Sequence, residues 1–151
     1  MEVIVDNHQK HLNYKEQTER LTRALKNEFY LEAIFIEYSI LEDRTESILK
    51  YTGSFPKQNT FVSIDRKITL IEKLAENKKA IIKNYFTNDI ISELRDWRTK
   101  RNALIHALIK RNTTTYELKA IALEGQTLVK TMCRLSTNYK RKLQRQNLLV
   151  E

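Results

Sequence analysis

Turn-forming residues are scarce in this chain, which has 2 Gly and 1 Pro in 151 residues. That scarcity excludes the many tight turns of an all-β fold and the Gly-rich loops that cradle nucleotide phosphates. The 1 cysteine, Cys133, excludes an internal disulfide and a multi-thiolate zinc site, and points to a reducing compartment. No apolar run approaches the ~20 residues needed to span a bilayer. The opening residues Met1-Glu2-Val3-Ile4-Val5-Asp6 lack the basic stretch and following apolar run of a secretory signal. A cytoplasmic protein without membrane contact is therefore expected. Histidine is also rare: His8 and His11 lie near the N-terminus, and His106 stands alone elsewhere. No set of three or four ligands has zinc-site spacing. His8 with His11 permits adventitious metal binding at most. Asp65 with Glu72, or Glu42 with Glu46, is not distinguishable by spacing from ordinary helix-surface acids. No metal and no cofactor is expected.

What is present is helical. Apolar residues make up 41% and charged residues 30%, the balance of a soluble bundle with a salt-laced exterior. The length suits one domain, 1–151, able to bury a core without staples. Helical periodicity starts at about Asn13 and runs to Asn27, with no punctuation before a second run to about Tyr51 carrying Leu31, Ile34, Tyr38, Leu41, Ile48 and Leu49. Phe35, Ile36 and Ile40 lie off that stripe, so the second helix is expected to be covered on two sides, by neighbours or by a second subunit. Gly53 and Pro56 mark its end. Ser63 caps a helix with Ile64, Ile68, Ile71 and Leu74 on one face. A short apolar turn follows, with Ile81, Ile82, Tyr85 and Phe86. Thr87 or Asn88 then caps a helix to about Lys110. Asn112 to Thr115 is a break with new caps. A last helix runs from about Thr115 to Arg145, with Gly125 permitting a kink or a close helix contact. The expected fold is all-α, an up-and-down bundle of four to five helices.

Net charge is +8, and the segment from Lys110 to Glu151 holds most of the excess, with nine Lys or Arg against three Glu. Lys140, Arg141 and Lys142 form its densest run, in a basic end spanning about 140–151. An acidic partner is implied, and nucleic acid is the commonest. The alternative is a solvated helix end whose cations favour the dipole.

The chemistry concentrates in Arg101-Asn102-Ala103-Leu104-Ile105-His106. Stepping ~100° per residue places Ile90, Leu94, Trp97, Leu104, Ile105 and Leu108 within about 60° of Arg101. A guanidinium at the centre of an apolar stripe is expensive unless paired or functional. The second helix offers Glu37, Glu42 and Glu46 as partners, with Glu42 at the edge of its stripe the first choice. Such a bridge could serve only to set helix register. His106 lies beside the stripe, with Asn102, Arg98 and Arg95 on its flank. Two arginines, an amide and an imidazole form a ridge suited to binding phosphate and exchanging protons. Cys133 has no such company and reads as a small core residue.

Arg101-Asn102, three further residues and His106, late in a long helix of an all-α domain, resemble the signature of the HEPN superfamily. Trp97-Arg98-Thr99-Lys100 before it and Ala107-Leu108 after it fit the same pattern. The resemblance implies a compact bundle that dimerises with the two motifs facing each other. Many members are metal-independent endoribonucleases that act as toxins, in anti-phage defence or in RNA processing. It implies Arg101 and His106 as the essential pair and Asn102 as the supporting polar residue. It also implies RNA, a second copy, and an antitoxin or defence-system protein as partners. Members paired with a nucleotidyltransferase antitoxin often carry a modified Tyr two positions after the His. Leu108 stands there, so that partner is not expected.

These features predict RNA cleavage by attack of the ribose 2′-hydroxyl, with Arg101 and His106 catalytic, Asn102 supporting, and Arg95, Arg98, Lys140, Arg141 and Lys142 binding substrate. The rival expectation is a non-catalytic RNA-binding or adaptor dimer that uses the basic tail. A third is a helical partner-binding subunit with no nucleic-acid role.

Overall fold

The computed structural model of the chain describes residues 5–57 and 61–150. Five α-helices form an up-and-down bundle: α1 Asn7–Lys26, α2 Tyr30–Tyr51, α3 Ile64–Glu76, α4 Asn88–Ala107 and α5 Thr115–Arg145, with a 3-10 turn at Ile81–Asn84. No strand occurs among the described residues.

α1 begins six residues earlier than its apolar pattern, because the Asp6 side chain accepts from the Gln9 N–H at 2.8 Å and satisfies an orphan donor of the first turn. α1 and α2 are separate helices. Glu28 adopts φ +60, and the Phe29 N–H returns to the Ala24 carbonyl at 2.8 Å. That is a left-handed helix stop of the kind glycine usually makes, so no Gly or Pro announces it. Gly53, at φ +70, makes the expected stop after α2. Ser63 caps α3 by accepting from the Arg66 N–H at 3.3 Å. α4 ends at Ala107, before the expected Lys110, and Thr114 with Glu117 form a capping box that starts α5.

α2 is the axis of the bundle, packed against α1, α3 and α5. Ile36 and Ile40 are buried along with Ile34, Leu41, Ile48 and Leu49. Neighbouring helices of the same chain therefore cover the second side of α2, and Phe35 alone of the off-stripe residues stays exposed, at 47%. α5 runs unbroken through Gly125. A Cβ at that position would meet the Glu37 carboxyl and lie 2.8 Å from Trp97 Cζ2, so this glycine serves close approach of α5 to α2 and α4 rather than a kink.

Candidate functional site around Arg101

Trp97 anchors α4. It is fully buried, and its indole Nε1–H donates to the Ile121 carbonyl of α5 at 3.0 Å. One turn on, Arg101 leaves the core and lies across α2. Its guanidinium carbon is 4.0 Å from the centre of the Tyr38 ring and 5.5 Å from that of Phe35. Its Nη1 donates to Asn102 Oδ1 at 3.0 Å, and its Nε is buried without a partner.

Arg101 has no carboxylate partner among the described residues, which corrects the expected pairing with Glu42. Glu42 and Glu46 both turn to Lys67 of α3, each at 3.7 Å. Lys67 is only 4% exposed, so its ammonium has the stronger need of the two acids. Glu37 projects to the other side of α2, against Gly125 and Trp97. Both its oxygens lack partners, and burial pushes its carboxyl up to about 9. Aromatic faces take the place of the acid at Arg101. A guanidinium stacks on them favourably, and they leave its charge uncompensated.

The ridge is divided. Arg95 pairs with Glu72 and donates to Thr69 Oγ1 at 3.1 Å, and Arg98 pairs with Asp65 at 3.6 Å. Asp65, Thr69 and Glu72 form one face of α3, so these two arginines stitch α3 to α4 rather than standing free for substrate. Such half-exposed pairs are individually weak, and a phosphate would have to displace the acids. His106 is exposed in the last turn of α4. Five helical steps separate it from Arg101, about 140° around the axis. Within one chain the two side chains therefore diverge: Arg101 lies on α2 and His106 faces solvent. Asn102 connects them, bonded to Arg101 and one turn before His106.

At the far end of α5, Lys140 lies over the Tyr51 ring, 5.4 Å from its centre, Lys142 is half-buried, and Arg141 is exposed. Arg141 is joined on the outer face by Lys130, Arg134 and Arg145, all exposed and within about 40° of Arg134 by helical periodicity. None of these four is ion-paired among the described residues. The acids of α5, Glu117 and Glu124, lie off that face and are held by Arg111 at 3.0 Å and Lys100 at 3.1 Å. The spacing 130, 134, 141, 145 was the signal in the sequence, hidden beside the denser run Lys140-Arg141-Lys142.

A second polar cluster gave no sequence signal. Tyr14 donates to Asp43 at 2.6 Å, Arg44 donates to both, and Lys10 pairs with Asp43 at 2.9 Å. Burial raises the Tyr14 hydroxyl above its usual range. Burial works to raise Asp43 too, but the hydrogen bonds from Tyr14, Lys10 and Arg44 outweigh it and hold its carboxyl low. This cluster clamps α1 onto α2.

Among the described residues no group of three or more His, Cys, Asp or Glu is placed to hold a metal ion, and no helix is long and apolar enough to cross a membrane. None of the family models, curated proteins or solved structures compared with this chain matches it.

Proposed function

We propose that the chain is a metal-independent endoribonuclease of the HEPN-like kind, acting as a two-fold dimer in toxin or defence settings. The observation that carries this reading is the state of Arg101: a guanidinium without an acid, stacked on Tyr38, bonded to Asn102, on the same rigid helix as an exposed imidazole. A cation held ready in this way suits the charge that develops on a phosphorane.

One chain offers one imidazole at the site, whereas in-line cleavage needs a base and an acid. A second copy related by two-fold symmetry supplies the other without any further residue type. In this mechanism a neutral His106 takes the proton of the ribose 2′-hydroxyl, and the 2′-oxygen attacks the adjacent phosphorus. The bond to the 5′-oxygen breaks, and a protonated His106 of the second copy donates to that leaving oxygen. The products are a 2′,3′-cyclic phosphate and a 5′-hydroxyl. Arg101 steadies the non-bridging oxygens, and Asn102 holds Arg101 in place.

The test compares wild type with His106→Ala on total RNA in EDTA, with helical circular dichroism matched. Cleavage by wild type alone, leaving cyclic phosphate ends, is the expected result. A protein that binds RNA through α5 yet cleaves with neither form is instead an adaptor. The divergence of Arg101 and His106 within one chain, together with the free cations of α5, favours that second reading.

A further inference from the structure

An open groove of about 620 Å³ lies between α1 and α2, lined by Asn13, Gln17, Phe35, Ile36 and Ser39. Its lining is uncharged. The amides of Asn13 and Gln17 come from α1, and the hydroxyl of Ser39 and the Phe35 ring come from α2. Gln9 Nε2 donates to Asn13 Oδ1 at 2.9 Å, which fixes that amide and leaves its N–H groups to face another acceptor. Phe35 is 47% exposed on a helix whose other large apolar side chains are mostly buried. Arg101 stands 5.5 Å from the ring centre. Phe35 thus both lines a neutral, hydrogen-bonding groove and lies beside a guanidinium that has no carboxylate partner among the described residues.

We infer that this is a nucleotide subsite for single-stranded RNA. One base lies on Phe35 in the groove, its edge within reach of Asn13, Gln17 and Ser39, while the phosphate of the same nucleotide is held by Arg101. The inference rests on the RNA reading above and specifies the form of substrate. Every base has a π-face, so stacking on Phe35 supplies affinity without strong sequence preference. The amides carry donors and acceptors together, so they tune the choice among bases. A duplex keeps its base faces stacked inside, so this site selects unpaired RNA.

The experiment uses the full chain carrying His106→Ala, to prevent cleavage, and a short oligoribonucleotide with one fluorescent 2-aminopurine, free or annealed to its complement. The expected result is quenching of the base analogue on binding and at least tenfold preference for the single strand. Adding Phe35→Ala removes the quenching and weakens binding about tenfold, whereas Phe35→Tyr keeps both. Gln17→Ala changes the ranking of oligo-A, oligo-C and oligo-U more than their mean affinity. Unchanged quenching and affinity in Phe35→Ala overturn the subsite, as does cleavage of RNA by Phe35→Ala at the wild-type rate. Sedimentation of the RNA-free proteins covers the rival occupant: a dimer that dissociates in Phe35→Ala makes the ring a subunit contact and also overturns the subsite. Absence of both cleavage by wild type and binding of every oligonucleotide overturns the RNA reading itself.

Discussion

Burial favours the protonated form of Glu37, since among the described residues neither of its oxygens meets a hydrogen-bond donor. Its carboxyl is raised from an ordinary 4.5 to about 9. Below pH 4.5 both folded and unfolded chains carry the proton, and the group adds no pH dependence to stability. Between the two values only the unfolded chain releases it, so stability falls with rising pH by about 1.4 kcal/mol per unit and levels off above the folded value. At pH 7 the accumulated loss is of order 3 kcal/mol. Glu37→Gln keeps a similar shape without an ionisable group. It is therefore expected to match wild type near pH 4.5 and to exceed it by an amount that grows to pH 8.5. Denaturant titrations at several pH values check this, and parallel curves for the two proteins would refute it. Arg101 differs from Glu37 in keeping its charge. A guanidinium does not escape by losing its proton, so its charge is accommodated by Tyr38 and by partial contact with water. Tyr38→Leu should leave the fold intact and lower the rate of RNA cleavage more than RNA affinity, since it loosens the cation without removing it.

Three helices meet closely where Gly125 of α5 faces Glu37 of α2 and Trp97 of α4. Gly125→Ala gains about 1 kcal/mol of helix propensity. It also forces a methyl group into space already filled by side chains, an overpacking cost of about 1–3 kcal/mol. The crowding wins, because the added atom would sit closer to both neighbours than van der Waals contact allows. A net loss of up to about 2 kcal/mol is expected. Combining Gly125→Ala with Glu37→Ala removes the clash with the carboxyl and leaves only that with Trp97. The double mutant should then be more stable than the sum of the single changes predicts, and thermal melts of the four proteins measure that coupling. An additive cycle would mean that the three helices relax independently. The α3–α4 seam is of another kind: Arg95 and Arg98 answer Glu72 and Asp65 in half-exposed pairs, so their removal should cost about 0.2–1 kcal/mol each.

Across the whole molecule the charge is polarised. Lys130, Arg134, Arg141 and Arg145 face solvent along one side of α5, a helix of 31 residues and about 46 Å. If these cations track a single-stranded phosphate backbone, changing all four to Gln should reduce the slope of log affinity against log salt by about 3. Fluorescence anisotropy from 50 to 300 mM salt, roughly the range over which such contacts are screened, reads that slope directly. Binding should weaken for every RNA sequence alike, since phosphate contacts carry no base information. An unchanged slope would place the RNA elsewhere. If cleavage uses one copy of His106 as base and the other as acid, its rate should rise and then fall with pH. A flat profile would remove histidine from the chemistry.

Local chemistry determined much of this protein. The 3.6-residue period of the apolar positions, the caps at Ser63 and Thr114, the stop at Gly53 and the lack of turn residues were enough to define an all-α bundle and four of its helices. These are short-range effects, and they act through neighbours within one or two turns. The first run ends at Asn27 in the sequence, but whether it continues into the second is left open there, since a non-glycine residue, Glu28, takes the left-handed conformation at the break. Partnership was decided only by the tertiary structure. Periodicity placed Arg101 in the apolar stripe. It left open which acid would meet it, because Glu37, Glu42 and Glu46 all lie on the same helix. In three dimensions Lys67 takes two of those acids and the core takes the third. Arg101 is left to Tyr38 and Phe35, beside a groove that no single helix contains. Charges and rings select their neighbours by distance in space, and distance in space is what a linear pattern does not carry.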